Sequence, residues 1–254
     1  MNNAQTSDIT DLFGRGAELL VEGISHLLWP RVCCNCDAPI LKSDDGLCSD
    51  CWRQMRSCTS EDYCRRCGSD AGLYSNLSGM CSACKNRTFQ YDGIARAGVY
   101  KDVLRDMILN LKFSDRPELS LYLGRLADAA LIGSGFADKT DFYVPVPLHW
   151  RRRIRRGFNQ SMLLCRQLTC AVGKINTDFV RIKYTHRQWN LTSAGRRKNV
   201  AGAFAVRKGH CFQGKTICLV DDLTTSGATL NECAKTLKRA GAEKVYALVA
   251  AVAL

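Results

Sequence analysis

Leu219-Val220-Asp221-Asp222-Leu223-Thr224-Thr225-Ser226-Gly227-Ala228-Thr229-Leu230, LVDDLTTSGATL, decides how this chain is read. The residues leading into it, KTICLV (215–220), are mostly apolar and β-favouring, the pattern of a buried strand. Two carboxylates then stand side by side at its carboxyl end. Hydroxyls and Gly227 follow, and from Thr225 to Ala240 the spacing predicts a helix. Leu230, Cys233, Ala234 and Leu237 share one face of it, and Gly241 closes it.

A strand–turn–helix of this composition aims backbone N–H groups and hydroxyls at one point, at the positive end of a helix. That is a phosphate cradle. Gly227 lets backbone approach a ligand closely. Asp221 and Asp222 do not suit phosphate. They suit sugar hydroxyls, with a divalent cation nearby to offset charge. A ribose carrying a 5′-phosphate satisfies both halves; the plainer alternative is an ordinary turn with solvated acids.

The flanking chain supports a sheet. Residues 94–100 read as a strand, 101–113 and 117–132 as amphipathic helices, and FYVPVPLH (142–149) as a strand running into a Pro-rich loop. GFNQSMLLCRQLTCAVG (157–173) reads as a helix, DFVRIKY (178–184) as a strand, and KVYALVAAVAL (244–254) as a last buried strand. Such alternation predicts an α/β fold with a parallel sheet and ligands at the carboxyl ends of its strands.

Upstream the texture differs. Ten of the 15 cysteines fall between Cys33 and Cys84, and eight form CxxC knuckles: Cys33/Cys36, Cys48/Cys51, Cys64/Cys67 and Cys81/Cys84. A CxxC turn offers two thiolates to one ion, so four knuckles make two four-cysteine zinc sites. Pairing in chain order leaves loops of 11 and 13 residues between knuckles, and interleaved pairing stays open. Filled by sulfur at every position, such sites are structural. Cys34 and Cys58 are left over. Before them, Ile9, Leu12, Phe13, Ala17, Leu20, Val21, Ile24, Leu27 and Leu28 form one helical stripe that Pro30 ends. The expected organisation is an amphipathic helix in 1–30, a double zinc ribbon in 31–90 and an α/β domain in 91–254.

Of 254 residues, 46% are hydrophobic and 24% charged, a globular composition. No apolar run reaches the roughly 20 residues of a membrane span, and no secretory signal is read at the N-terminus. The expectation is a cytoplasmic protein without stable membrane insertion. Net charge is +12, unevenly placed: residues 1–90 hold 9 Lys/Arg and 11 Asp/Glu, residues 91–254 hold 27 and 13. The α/β part therefore expects an anionic partner, a phosphorylated small molecule or nucleic acid.

The acid pair and Thr/Ser/Gly loop resemble the phosphoribosyltransferase signature. With VPVPLHWRRRIRRGFNQ (144–160), KYTHRQWNLTSAGRRKNVAGAF (183–204), LKF (111–113) and the four knuckles, the chain from Pro30 onward resembles the ComF family of competence proteins, which includes GntX-like proteins. The resemblance implies a double zinc ribbon on a type I phosphoribosyltransferase-like sheet flanked by helices. It implies a site for phosphoribosyl pyrophosphate (PRPP) with Mg2+ along Asp221, Asp222, Leu223, Thr224, Thr225, Ser226, Gly227, Ala228 and Thr229. It also implies a role in natural transformation, in handling incoming single-stranded DNA, or in using DNA as a nutrient. A helicase or uptake-machinery protein becomes a possible partner, docked by the ribbons.

The resemblance places a pyrophosphate loop at Pro145, Val146, Pro147 and Leu148, bound mainly through backbone. Arg187, Arg196, Arg197 and Lys198 lie in a segment with the polarity of a mobile lid; with Trp189 they suit a single strand equally well. Arg151, Arg152, Arg153, Arg155 and Arg156 put five arginines in six positions. They cannot all face one way, and their forked guanidinium groups suit pyrophosphate or nucleic-acid phosphates. Lys112 is placed to reach the site or to lie on the surface. His149 and His186 are acid–base candidates by type only, and solvation is the simpler expectation for each. No acceptor is named by a specificity loop after the last strand. The alternative to an enzyme is a nucleic-acid-binding adaptor on the same fold.

Overall fold

The computed structural model describes residues 30–40, 46–59, 62–70, 81, 84, 87–185 and 192–253. The amphipathic stretch 9–28 and His186, Arg187 and Trp189 lie outside them. The chain divides into two compact units, Met1–Arg53 and Gln54–Leu254.

In both units a cysteine knuckle is held the same way. Val32 and Pro39 bridge around Cys33–Cys36, and Tyr63 and Asp70 bridge around Cys64–Cys67. Cys33 N donates to Ala38 O at 2.8 Å, and Cys64 N donates to Ser69 O at 2.9 Å. The helix α1 (Ser49–Cys58) begins between the two cysteines of the second knuckle and carries Cys51 in its first turn. Sequence reading did not foresee this helix.

In the second unit four strands form one parallel sheet. They are β1 (Gly93–Val99), β2 (Phe142–Pro145), β5 (Thr216–Thr224) and β6 (Lys244–Val252), in the order β1-β6-β5-β2. Ile217 and Leu219 of β5 join Val245, Ala247 and Val249 of β6 against Leu230, Cys233, Ala234 and Leu237 of α7 (Ala228–Arg239). The helical face expected from spacing is the buried face. α3 (Leu119–Ser134) and α5 (Gln160–Gln167) pack on each other and on the sheet, and α2 (Asp102–Phe113) packs on α3. Burial of both sheet faces explains why β5 and β6 read as apolar runs without alternation.

Three expectations need correction. β5 does not stop at Val220: it runs to Thr224, with Asp221 opposite Val249 and Thr224 opposite Val252, because β6 is long enough to pair it throughout. α7 starts at Ala228 rather than Thr225, since Gly227 at φ 74° supplies its left-handed cap. The stretch 178–184 is not a strand of the parallel sheet. Only β3 (Phe179–Arg181) forms, antiparallel to β4 (Phe204–Val206), and the Phe179 and Phe204 rings stack 5.6 Å apart. Among the described residues no helix is long and apolar enough to cross a membrane.

Candidate functional site

A cleft of about 740 Å³ opens where β5 and β2 end. Its lining brings Asp221, Asp222, Leu223, Thr225 and Thr229 together with Val146, Pro147 and Leu148 from the loop after β2. Seven cationic side chains line it against these two carboxylates: Arg105, Lys112, Arg152, Arg155, Arg156, Arg181 and Arg196. Such a wall selects an anion.

The acids are not solvated: Asp221 is 8% exposed and Asp222 3%. Asp221 Oδ1 accepts from Ser161 Oγ and from Asp222 N, both at 3.0 Å. Lys112 Nζ lies 2.5 Å from Asp222 Oδ2. Burial, then the Asp222 carboxylate, push Asp221 up to about 7, while Lys112 and the Ser161 hydroxyl pull the other way. Two adjacent buried carboxylates are costly, and their retention at a strand end beside a cradle suits a binding role.

GFNQS, for which sequence reading gave no chemistry, has a role here. Asn159 caps α5, accepting from Ser161 N at 3.1 Å, and its Nδ2 donates to Val146 O at 3.1 Å, pinning the β2 loop. Gln160 lies between Arg156 Nη1 at 2.5 Å and Asp222 Oδ1 at 3.5 Å. The available signal was three consecutive polar residues, Asn-Gln-Ser, where a helix first turns onto the core.

The arginine run divides. α4 (Trp150–Arg156) sends Arg152, Arg155 and Arg156 to the cleft. Arg151 stacks on Trp150 at 5.3 Å and on Tyr184 at 5.7 Å, and Arg153 is exposed. His149 is not solvated as expected. It is 6% exposed and caps α4, its Nδ1 accepting from Arg151 N at 3.3 Å. Burial, then Arg151, Arg181 and Arg152, lower its pKa and hold it neutral, as an acceptor must be. Arg181 went unnoticed in the sequence. It lines the cleft, and burial and Arg152 lower its pKa.

In the lid segment, α6 (Ser193–Val200) is helical, which polarity alone did not suggest. Arg196 Nη1 donates to Thr225 Oγ1 at 2.6 Å, whereas Arg197 and Lys198 are exposed and do not line the cleft. Behind the cradle, Arg87 Nη2 donates to Ser226 O at 2.8 Å, and Gln90 N donates to Asn231 Oδ1 at 2.7 Å.

The cysteines pair in chain order. Cys33, Cys36, Cys48 and Cys51 form one cluster and Cys64, Cys67, Cys81 and Cys84 the other, with sulfurs in each within 4.8 Å of one another. Cys36–Cys48, Cys64–Cys84, Cys67–Cys81 and Cys81–Cys84 sulfurs stand 3.7, 3.7, 3.5 and 3.6 Å apart. A zinc tetrahedron with Zn–S of ~2.3 Å has an edge of about 3.8 Å, so the donor set fits zinc. Burial opposes ionisation of Cys64, but backbone N–H groups of Cys81, Arg66 and Cys67 outweigh it and bring the thiol down to about 6.

Comparison with known proteins agrees. Residues 24–85 match the double zinc ribbon domain. The chain is 32% identical to competence protein F of Haemophilus influenzae over 220 residues, 84% of this chain and 93% of that protein. It is 34% identical to the DNA utilization protein YhgH of Escherichia coli K12 over 224 residues, 85% and 94% of the two chains. It is 27% identical to competence protein ComFC of Streptococcus pneumoniae over 216 residues, 83% and 90%. With two zinc ribbon sites ahead of a helix-flanked parallel sheet, and likeness over nearly the whole length of these relatives, the chain belongs to the ComF family of competence and DNA utilization proteins.

Proposed function

We propose that the cleft binds PRPP or a related sugar phosphate, and that the protein serves DNA uptake or DNA utilization in the cytoplasm. One observation carries the reading: a buried acid pair stands shortly before a Gly-capped helix N-terminus in a cleft whose other charges, among the described residues, are all positive. The 5′-phosphate takes the N–H groups and hydroxyls of Thr225–Thr229. The ribose hydroxyls donate to Asp221 and Asp222. The pyrophosphate meets the Val146–Leu148 loop and the cleft arginines, Arg196 among them; the lid candidate Arg187 lies outside the described residues. Mg2+ would accompany the pyrophosphate and offset its charge. Turnover would make the protein a phosphoribosyltransferase whose acceptor is still to be found.

Calorimetric titration of PRPP with Mg2+ tests this. The wild type should bind saturably, and Asp222→Asn should lose at least about tenfold in affinity, the value of one hydrogen bond to a charged group. A folded wild type that takes up no PRPP would sink the reading.

A second reading rests on a separate observation. Trp150 and Tyr184 are 58% and 52% exposed, and Arg151 and Arg152 lie against their rings. Cation beside aromatic is how single strands are held without sequence preference. Binding of single-stranded DNA should therefore weaken steeply with salt. Replacing Arg151, Arg152 and Arg153 by alanine should flatten the slope of log K against log[salt] by about 0.7 per lost phosphate contact. An unchanged slope would remove this strand path. The zinc ribbons are then the natural docking module for a helicase or uptake-machinery partner.

A further inference from the structure

We propose that Lys112 is the resident counter-cation of the sugar subsite, so that the ribose 5-phosphate half of the ligand binds without a divalent metal ion. This rests on the sugar-phosphate reading above and specifies what that subsite needs.

Lys112 is fixed from its base outward. It sits in the last turn of α2, directly after Leu111, and Val103, Leu104, Met107, Ile108 and Leu111 bury that helix. The side chain is 15% exposed, and its ammonium forms an ion pair at 2.5 Å with Asp222 Oδ2, on a carboxylate 4% exposed; the contact is not angled as a hydrogen bond, and Oδ2 has no hydrogen-bond partner among the described residues. Asp222 Oδ1 and Asp221 Oδ1 face donors as well. Gln160 Nε2 approaches Asp222 Oδ1, and Ser161 Oγ and Asp222 N serve Asp221 Oδ1.

Mg2+ demands near-octahedral oxygen ligands at ~2.1 Å and gives up its waters reluctantly. Seated on Asp222, it would have to displace an ammonium already ion-paired with that carboxylate. It would also bring two charges into a wall that carries six arginines. Ribose asks for less. Its hydroxyls need acceptors, which the carboxylates remain while Lys112 neutralises part of their charge. The phosphate needs donors and positive potential, which the cradle and arginines supply. The metal that accompanies PRPP is then required by its pyrophosphate alone.

The test is calorimetric titration of ribose 5-phosphate into the full-length protein, with and without millimolar Mg2+. The magnesium-free buffer contains no chelator, so the zinc sites stay loaded. Wild type should bind with affinities that agree within about twofold in the two buffers. Lys112→Met should lose about tenfold or more without Mg2+ and recover part of it with Mg2+, while Lys112→Arg keeps metal-free binding. Wild-type affinity that falls about tenfold without Mg2+ would overturn the inference and leave the sugar-phosphate site standing. So would a folded Lys112→Met that binds as wild type in magnesium-free buffer. Should Lys112→Met fail to fold, the wild-type pair of titrations and Lys112→Arg decide. Absence of ribose 5-phosphate binding in both buffers would take down the site reading, and this inference with it.

Discussion

Cys84→Ser is expected to release one of two bound zinc ions and to weaken PRPP binding, although Cys84 belongs to the ribbon and not to the cleft. The coupling runs through residues 87–91. Arg87 N donates to Cys84 O at 3.1 Å, and its guanidinium reaches Ser226 O. Phe89 packs on the Cys64/Cys67/Cys81/Cys84 cluster, and its ring lies 5.2 Å from that of Tyr91. Both rings border Gly227: a Cβ built there would lie 3.5 Å from the Tyr91 hydroxyl and 3.9 Å from Phe89. The ribbon holds the outer side of the cradle while β5 and α7 hold the inner side. Structural zinc in small fingers contributes on the order of 10 kcal/mol to folding, so its loss should loosen the ribbon's knuckles. The cradle should then lose the Arg87 hydrogen bond, which is about 1 kcal/mol or more and roughly fivefold in affinity. Zinc release read with a colorimetric chelator and PRPP titration of the same sample measure both effects. Arg87→Met separates them: it keeps both zinc ions and the backbone bond to Cys84 O, and loses the bond to Ser226 together with the guanidinium's contact on the Phe89 ring. Zinc loss with unchanged PRPP affinity would mean that β5 and α7 hold the cradle alone.

Legibility followed the range over which each feature is specified. The cysteine sites were readable because CxxC spacing is local, and the same turn recurs at Cys33 and Cys64. The faces of α2 and α7 were readable because burial imposes a helical period. The ends of β5 and α7 were misjudged because pairing with β6 carries a strand through Asp221 and Asp222 against their low β-propensity. Tertiary context decided that boundary. Gln160, Ser161 and Arg181 were missed for a related reason. Each acts on a residue distant in sequence or on the cleft itself, and a polar residue in a helix or short strand carries no mark of what it will face. Lys112 was left between site and surface because helical spacing puts it just beyond the buried stripe. Its partner, Asp222, is 110 positions away in the chain.

Asp221→Asn should make the protein more stable, and the gain should grow with pH. Asp221 is held at about 7 against an ordinary 3.8 because burial and Asp222 disfavour its charge. Below about pH 4 the folded and unfolded chains both carry the proton, and the site is neutral to stability. Between about 4 and 7 the unfolded chain gives up the proton while the folded chain keeps it, so stability falls as pH rises. Above about 7 both are ionised and the full penalty stands, on the order of a few kcal/mol at ~1.4 kcal/mol for each tenfold change in the ionisation constant. Asparagine never ionises and can still accept from the Ser161 hydroxyl, so the variant escapes the penalty. Thermal melts at about pH 5 and about pH 8 should show the variant's advantage increasing between them. An equal gap at both, or a variant less stable at the higher pH, would show that the acid pair is not the source of strain. The same variant should bind PRPP less well, because a ribose hydroxyl finds a neutral amide where a carboxylate stood. A residue that weakens the fold and strengthens the ligand is expected at a site kept for binding. Asp221 would then be the position where this protein gives up stability for its ligand.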